Sequence, residues 1–129
     1  MAKPDLCTMD VRHTLVLGAS PNPARFGHVA VVRLLGHDHP VTAVGARPGT
    51  IGGIPILQDI PAQQQFHTVT LYMNPIVQEA WHDRILALHP QRIIFNPGTE
   101  HEAFAKRAAD LGIDVVEGCT LVMLATGQY

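Results

Sequence analysis

Cysteine is nearly missing from this sequence: Cys7 and Cys119 are its only two among 129 residues. Two are too few for a disulfide framework and match no metal-binding spacing, so a reducing, cytoplasmic setting is expected. Aromatic residues are scarce at 5%, and charged residues make up only 16% of the chain. The net charge of −2, with acids and bases interspersed, gives no footprint for nucleic acid or an anionic membrane surface. Any anion site is therefore expected to be local. No apolar run approaches membrane-spanning length, and the opening "MAKPDLCTMDVRH" lacks the apolar core of a secretory signal. Repeats and low-complexity tracts are also missing. Residues 1–12 read as a loosely attached lead-in, and residues 13–129 as one domain.

What is present is aliphatic and alternating. Hydrophobic residues make up 47% of the chain. Five short runs rich in branched residues, at 14–17, 41–44, 68–72, 92–95 and 114–116, read as buried strands separated by helical patterns. Val29, Val32, Leu34 and Leu35 fit a first helix that stops near Gly36. Asn74-Pro75 opens a second, with asparagine as cap and proline at the first helical position. Ile76, Val77, Ala80, Trp81, Ile85 and Leu88 give that helix an apolar face. Thr99-Glu100-His101-Glu102 reads as a capping box for a third helix ending at Gly112. The link 47–65 carries glycines and prolines, with only a short candidate strand at 54–57. The expected fold is a Rossmann-like α/β domain: a doubly wound, mostly parallel five-stranded sheet with helices on both faces.

In such folds ligands sit beyond the carboxyl ends of the strands. Those ends are Gly18-Ala19-Ser20, Gly45-Ala46-Arg47, Met73-Asn74-Pro75, Asn96-Pro97-Gly98 and Glu117-Gly118-Cys119, all polar or glycine-containing. The first continues into "GASPNPARFG", a poor match to G-x-G-x-x-G, because Ser20 and Pro23 occupy the second and third glycine positions. Pro21 and Pro23 cannot donate backbone hydrogen bonds. Ala19, Ser20, Asn22, Ala24 and Arg25 retain N–H groups, Ser20 and Asn22 add side-chain donors, and Arg25 adds charge. Gly27 would let the following helix pack closely. The same residues also suit an ordinary strand–helix turn. After the second strand stands Arg47, with no carboxylate nearby. An acid there would bind the ribose hydroxyls of NAD, whereas a guanidinium suits a ribose phosphate, as carried by NADP or coenzyme A. The eight histidines include no metal-spaced cluster and read as surface residues. Ser20 has no nucleophile-elbow context, and no nucleophile–base constellation stands out. Met73 and Met123 read as core.

Taken in order, "LVLGASPNPARFG", "VTAVGARPG", "LYMNP", "IIFNPGTE" and "VVEGCTLVMLATGQY" resemble the small single-domain coenzyme A-binding proteins. These are related to the N-terminal coenzyme A-binding domain of the succinyl-CoA synthetase α subunit. The likeness runs from about His13 to Tyr129. It implies a Rossmann-like domain whose strand ends hold coenzyme A or an acyl-CoA. By motif position, Gly18, Ala19, Ser20 and Asn22 would line the phosphates, while Arg47, Pro48 and Gly49 would meet the adenosine part. Asn74, Pro75, Asn96, Pro97 and Gly98 would border the adenine or the pantetheine arm. Ligase activity is not implied, because the synthetase needs a further domain carrying a phosphorylated histidine, and the stretch 45–53 offers Arg47 where the synthetase has a lysine. The reading is a coenzyme A-binding carrier, sensor or partner subunit without metal or catalytic residues. A homodimer or a protein partner is left open. An NADP-binding enzyme or sensor and a ligand-free interaction domain are the alternatives.

Overall fold

The computed structural model describes residues 12–129. The expected lead-in therefore lies outside the described residues, except for Arg12, and so does Cys7. Arg12 donates its backbone N–H to His39 Nδ1 at 3.0 Å and its guanidinium to the Tyr129 carbonyl at 2.6 Å.

The chain alternates as expected. In order it forms β1 (Thr14–Leu17), α1 (Phe26–Gly36), β2 (Val41–Val44), β3 (Thr50–Ile51), β4 (Ile54–Leu57) and β5 (Thr68–Leu71). Then follow α2 (Pro75–Gln78), a 3-10 turn (Glu79–Trp81), α3 (His82–Ala87), β6 (Arg92–Phe95), α4 (Glu102–Asp110), β7 (Asp114–Glu117) and α5 (Thr120–Ala125). The sheet has seven strands, not five, in the order β3-β4-β2-β1-β5-β6-β7. The two additional strands come from the glycine- and proline-rich link. Gly52 and Gly53, both at positive φ, turn the chain so that Thr50 pairs with Pro55 and Ile51 with Ile54 in the sheet's one antiparallel ladder. Isoleucine 56 and Leu57 then pair in parallel with Ala43 and Val44. Pro55 is exposed, in keeping with proline's confinement to sheet edges.

Every residue of β1, β2, β5 and β6 is buried, which explains their continuous apolar reading. Alternation still sorts the side chains by face. Leu15, Leu17, Val69, Leu71, Ile93 and Phe95 pack with Ile85 and Leu86 of α3 and with Phe104 and Ala108 of α4. Val16, Val41 and Ala43 pack with Val31 and Leu34 of α1 and with Leu124 of α5. Both faces are covered, as expected.

Several local expectations change. The second helix is divided by the 3-10 turn, and its supposed core residues Ile76 and Val77 are 81% and 53% exposed. Asn74 does cap it, accepting the Val77 N–H at 2.9 Å. Thr99 and Glu102 form no capping box. Thr99 is buried and donates its hydroxyl to the Asn96 carbonyl, while the cap of α4 is His101, whose Nδ1 accepts the Phe104 N–H at 3.2 Å. Helix α4 ends as expected near Gly112, at φ +84°, with Ile113 N–H reaching the Ala108 carbonyl in a Schellman arrangement. His39 and His82 are buried rather than surface histidines.

Candidate functional site

The chain winds outward from β1 through β2 to β4, then crosses back to β5 on the other side of β1. That reversal opens a crevice beyond the carboxyl ends of β1 and β5, the position where doubly wound sheets take ligands. A cleft of about 810 Å³ occupies it, walled by the loops after β1, β2, β5 and β6.

The β1–α1 loop is fixed by close backbone approaches. Gly18 has φ +106°, and a Cβ there would lie 2.8 Å from the Tyr72 carbonyl group. A Cβ on Gly27 would come within 2.3 Å of the Gly18 carbonyl oxygen, and one on Gly45 within 1.9 Å of the Ala19 carbonyl oxygen. Gly27 thus allows the tight helix packing expected of it. The poor match to the glycine fingerprint reflects a longer loop, in which that role falls nine residues after Gly18.

The loop's own amides are mostly spent internally, which corrects their expected role as free donors. Ala19 N–H bonds to the Val44 carbonyl and Arg25 N–H to the Asn22 carbonyl. Asn22 N–H donates to Ser20 Oγ at 3.1 Å, and Ala24 N–H to Asn22 Oδ1 at 3.0 Å. Polar side chains folding onto the backbone two residues on are common in turns that contain proline. Of the loop's amides only Ser20 N–H has no partner among the described residues, and two further free donors sit at the start of α1. Its cap residue, Arg25, makes no side-chain cap, and Phe26 and Gly27 N–H have no partner among the described residues. These amides carry the positive end of the helix dipole. Arg25 and Arg47 both border the cleft and form no ion pair among the described residues.

Of the sequence-predicted residues, Gly18, Ala19, Ser20, Asn22, Arg25, Arg47, Asn74, Pro97 and Gly98 line the cleft together. Pro48, Gly49, Pro75 and Asn96 do not. Gly49 packs against Pro21, whose Cβ would be 2.9 Å from a Cβ on Gly49. Asn96 is 2% exposed and fully engaged: its amide nitrogen donates to Thr70 Oγ1 and the Leu71 carbonyl, and its Oδ1 accepts the Thr120 N–H. It braces the strand ends from behind. Cys119, at the start of α5, is half-buried and is not among the lining residues.

Phe26, Tyr72, Met73, Val77 and Thr99 line the cleft although the sequence reading did not name them as site residues. Phe26 is 70% exposed despite opening a helix beside glycine. Val77 and Met73 had been assigned to the core, and Thr99 to a cap. The Tyr72 hydroxyl is buried near Thr70 and Thr120 without completing a hydrogen bond, and burial pushes its pKa up. The only signal for Phe26 and Val77 was position, since both stand in the first turn of a helix that follows a strand-end loop. Among the described residues, no Asp, Glu, His, Lys or Cys lines the cleft.

The model of the CoA binding domain family matches residues 12–125. The chain belongs to the CoA-binding domain family. Among solved structures it is similar to an uncharacterized protein, 42% identical over 92% of this chain and 98% of that one, with a TM-score of 0.89. A protein from Thermus thermophilus, described as cell-free ID.343, covers all of both chains at 20% identity and a TM-score of 0.83. A hypothetical protein from Pyrococcus horikoshii OT3 covers 95% of this chain and 87% of its own, at 19% identity and a TM-score of 0.81. At that identity the likeness speaks for the fold alone. No curated protein matches. Within this CoA-binding domain, no helix among the described residues is long and apolar enough to cross a membrane.

Proposed function

We propose that this protein is a Rossmann-like module that binds coenzyme A or an acyl-CoA reversibly, acting as a carrier, sensor or partner subunit. The observation that carries the reading is the start of α1, where Phe26 and Gly27, whose N–H groups have no partner among the described residues, line the cleft together with Arg25 and Arg47. A helix N-terminus with arginines in the same cleft is suited to a pyrophosphate, and the guanidinium of Arg47, on the β2 loop, would suit a ribose phosphate. Phe26, Met73 and Val77 supply apolar wall for the adenine or the pantetheine arm. The volume is also that of a site for a large organic ligand.

The cleft's composition supports binding without chemistry. Ser20 brings a hydroxyl to the lining, the hydroxyls of Tyr72 and Thr99 are turned into the protein, and among the described residues no lining side chain is a histidine or carboxylate that could act as a general base near neutral pH. A reducing, cytoplasmic setting fits the sparse cysteine. The test is calorimetric titration with coenzyme A, acetyl-CoA, dephospho-coenzyme A and NADPH. Coenzyme A and acetyl-CoA are expected to bind, with dephospho-coenzyme A weaker by tenfold or more. Tighter binding of NADPH would replace this reading with the NADP one, and heat from none of the four would leave an interaction domain without these ligands.

A further inference from the structure

Behind the cleft lies a polar side chain that touches no part of its lumen. Gln78, the last residue of α2, is 0% exposed and is not among the lining residues. Its Nε2 donates to the Met73 carbonyl at 3.2 Å and to the Thr99 carbonyl at 2.9 Å. Met73 belongs to the loop after β5 and Thr99 to the loop after β6, and both line the cleft. Two acceptors fix the amide orientation, so Oε1 must accept, and the hydrogen bond it accepts is donated by His82 Nε2 at 2.9 Å. The neutral His82 ring therefore carries its hydrogen on Nε2. That ring stacks on Phe104 with centroids 3.7 Å apart and planes 5° from parallel, and meets His101 edge-on at 4.6 Å. His101 accepts the Phe104 N–H at Nδ1, so its Nε2 donates to Glu79 at 2.9 Å. Each member of the chain is thus held in one orientation.

The geometry points to Gln78 as a positioning residue of the cleft. It sets the spacing between the Met73–Asn74 and Pro97–Thr99 walls, and it governs ligand affinity through two carbonyls without touching ligand. The same carboxamide could in principle serve only to satisfy buried carbonyls. What favours positioning is that both acceptors sit on separate loops of one cleft, and that the donor is anchored through His82 to the core of α4. A buried polar group with every valence engaged specifies a unique arrangement, and losing it leaves both carbonyls unpaired.

The link to affinity rests on the coenzyme A reading, so the test has two arms. In the unliganded protein, amide hydrogen exchange is compared between wild type and Gln78→Met, which keeps the bulk and loses the donors. Exchange at Gly98 and Thr99 is expected to rise at least tenfold, with Ala30 in α1 unchanged. An equal rise at Ala30 would make Gln78 a general stability residue, and no rise at Gly98 and Thr99 would remove its hold on the loops. Either result overturns the proposal. In the second arm, coenzyme A affinity should fall at least tenfold in Gln78→Met, yet stay unchanged in Ile113→Val, a core truncation just before β7. Unchanged affinity in Gln78→Met overturns the link to binding. If Gln78→Met does not fold, Gln78→Glu serves in both arms, since a carboxylate also lacks the donors. Failure of wild type to bind coenzyme A would sink the ligand reading alone, and the exchange arm would still decide the positioning role.

Discussion

Acid should unfold this protein earlier than its carboxylates require, through His82. Burial, with His101 next in importance, lowers its pKa to about 4 from an ordinary 6.5. In the unfolded chain the imidazole takes up a proton as pH falls through 6.5, but in the folded protein it resists until about 4. Between those values the unfolded state binds more protons, so stability is full above pH 6.5 and declines toward pH 4. The slope reaches about 1.4 kcal/mol per pH unit, and the whole window is worth at most about 3 kcal/mol, a large share of a typical domain's stability. Lowered pKa values at His13, His39 and His67, each from burial first, act with the same sign. Asp83, held low by Arg107, keeps its stabilising contribution above its ordinary 3.8 and loses it only below that value, outside the window. The assay is urea unfolding at half-unit steps from pH 7 to 4, comparing wild type with His82→Gln. The variant loses the ring stacked on Phe104 and starts less stable, so slopes are compared rather than absolute values. Wild type should lose about 2–3 kcal/mol more than the variant across the window. Parallel curves would refute the assignment of this acid sensitivity to His82.

Other outcomes follow from the cleft. Arg47→Ala should cost about 1.5–3 kcal/mol of coenzyme A binding and abolish the preference over dephospho-coenzyme A by calorimetry. Asn22→Asp keeps the Oδ1 that accepts the Ala24 N–H but replaces the free amide with a negative charge. Its melting temperature should hold while affinity for the anionic ligand drops. Gly45→Ala places a Cβ 1.9 Å from the Ala19 carbonyl oxygen and should lower stability by roughly 2 kcal/mol or more in denaturant titration. Gly36→Ala meets nothing within 4 Å and should be neutral or stabilising by up to about 1 kcal/mol.

The strands were legible because burial on both faces leaves a continuous apolar run that needs no neighbour to interpret. Residues 50–51 were not, since a two-residue strand has no period and is made by Gly52-Gly53 and by β4 beside it. Reading Ile76 and Val77 as core failed because pattern treats every apolar residue as inward, whereas Val77 forms part of the cleft wall and Ile76 faces solvent. Asn96 was misassigned for the converse reason. An asparagine at a strand end looks like a ligand donor until Thr70, Leu71 and Thr120 are seen to take all its bonds. The capping box at Thr99 matched a motif, but the imidazole of His101 stood closer to the helix and took the role. Gln78 had no signal at all, because its acceptors come from loops separated from one another in sequence.

The close packing of Gly18 and Gly27 has a kinetic consequence. With backbone against backbone at both glycines, the two ends of the β1–α1 loop are pinned, so the loop is expected not to swing as a lid around a ligand. Association at this rim should then be a single second-order step, its observed rate rising linearly with ligand concentration and without the plateau of a gated site. Variants along the cleft should leave the association rate within one to three decades of wild type and differ chiefly in how long the ligand stays.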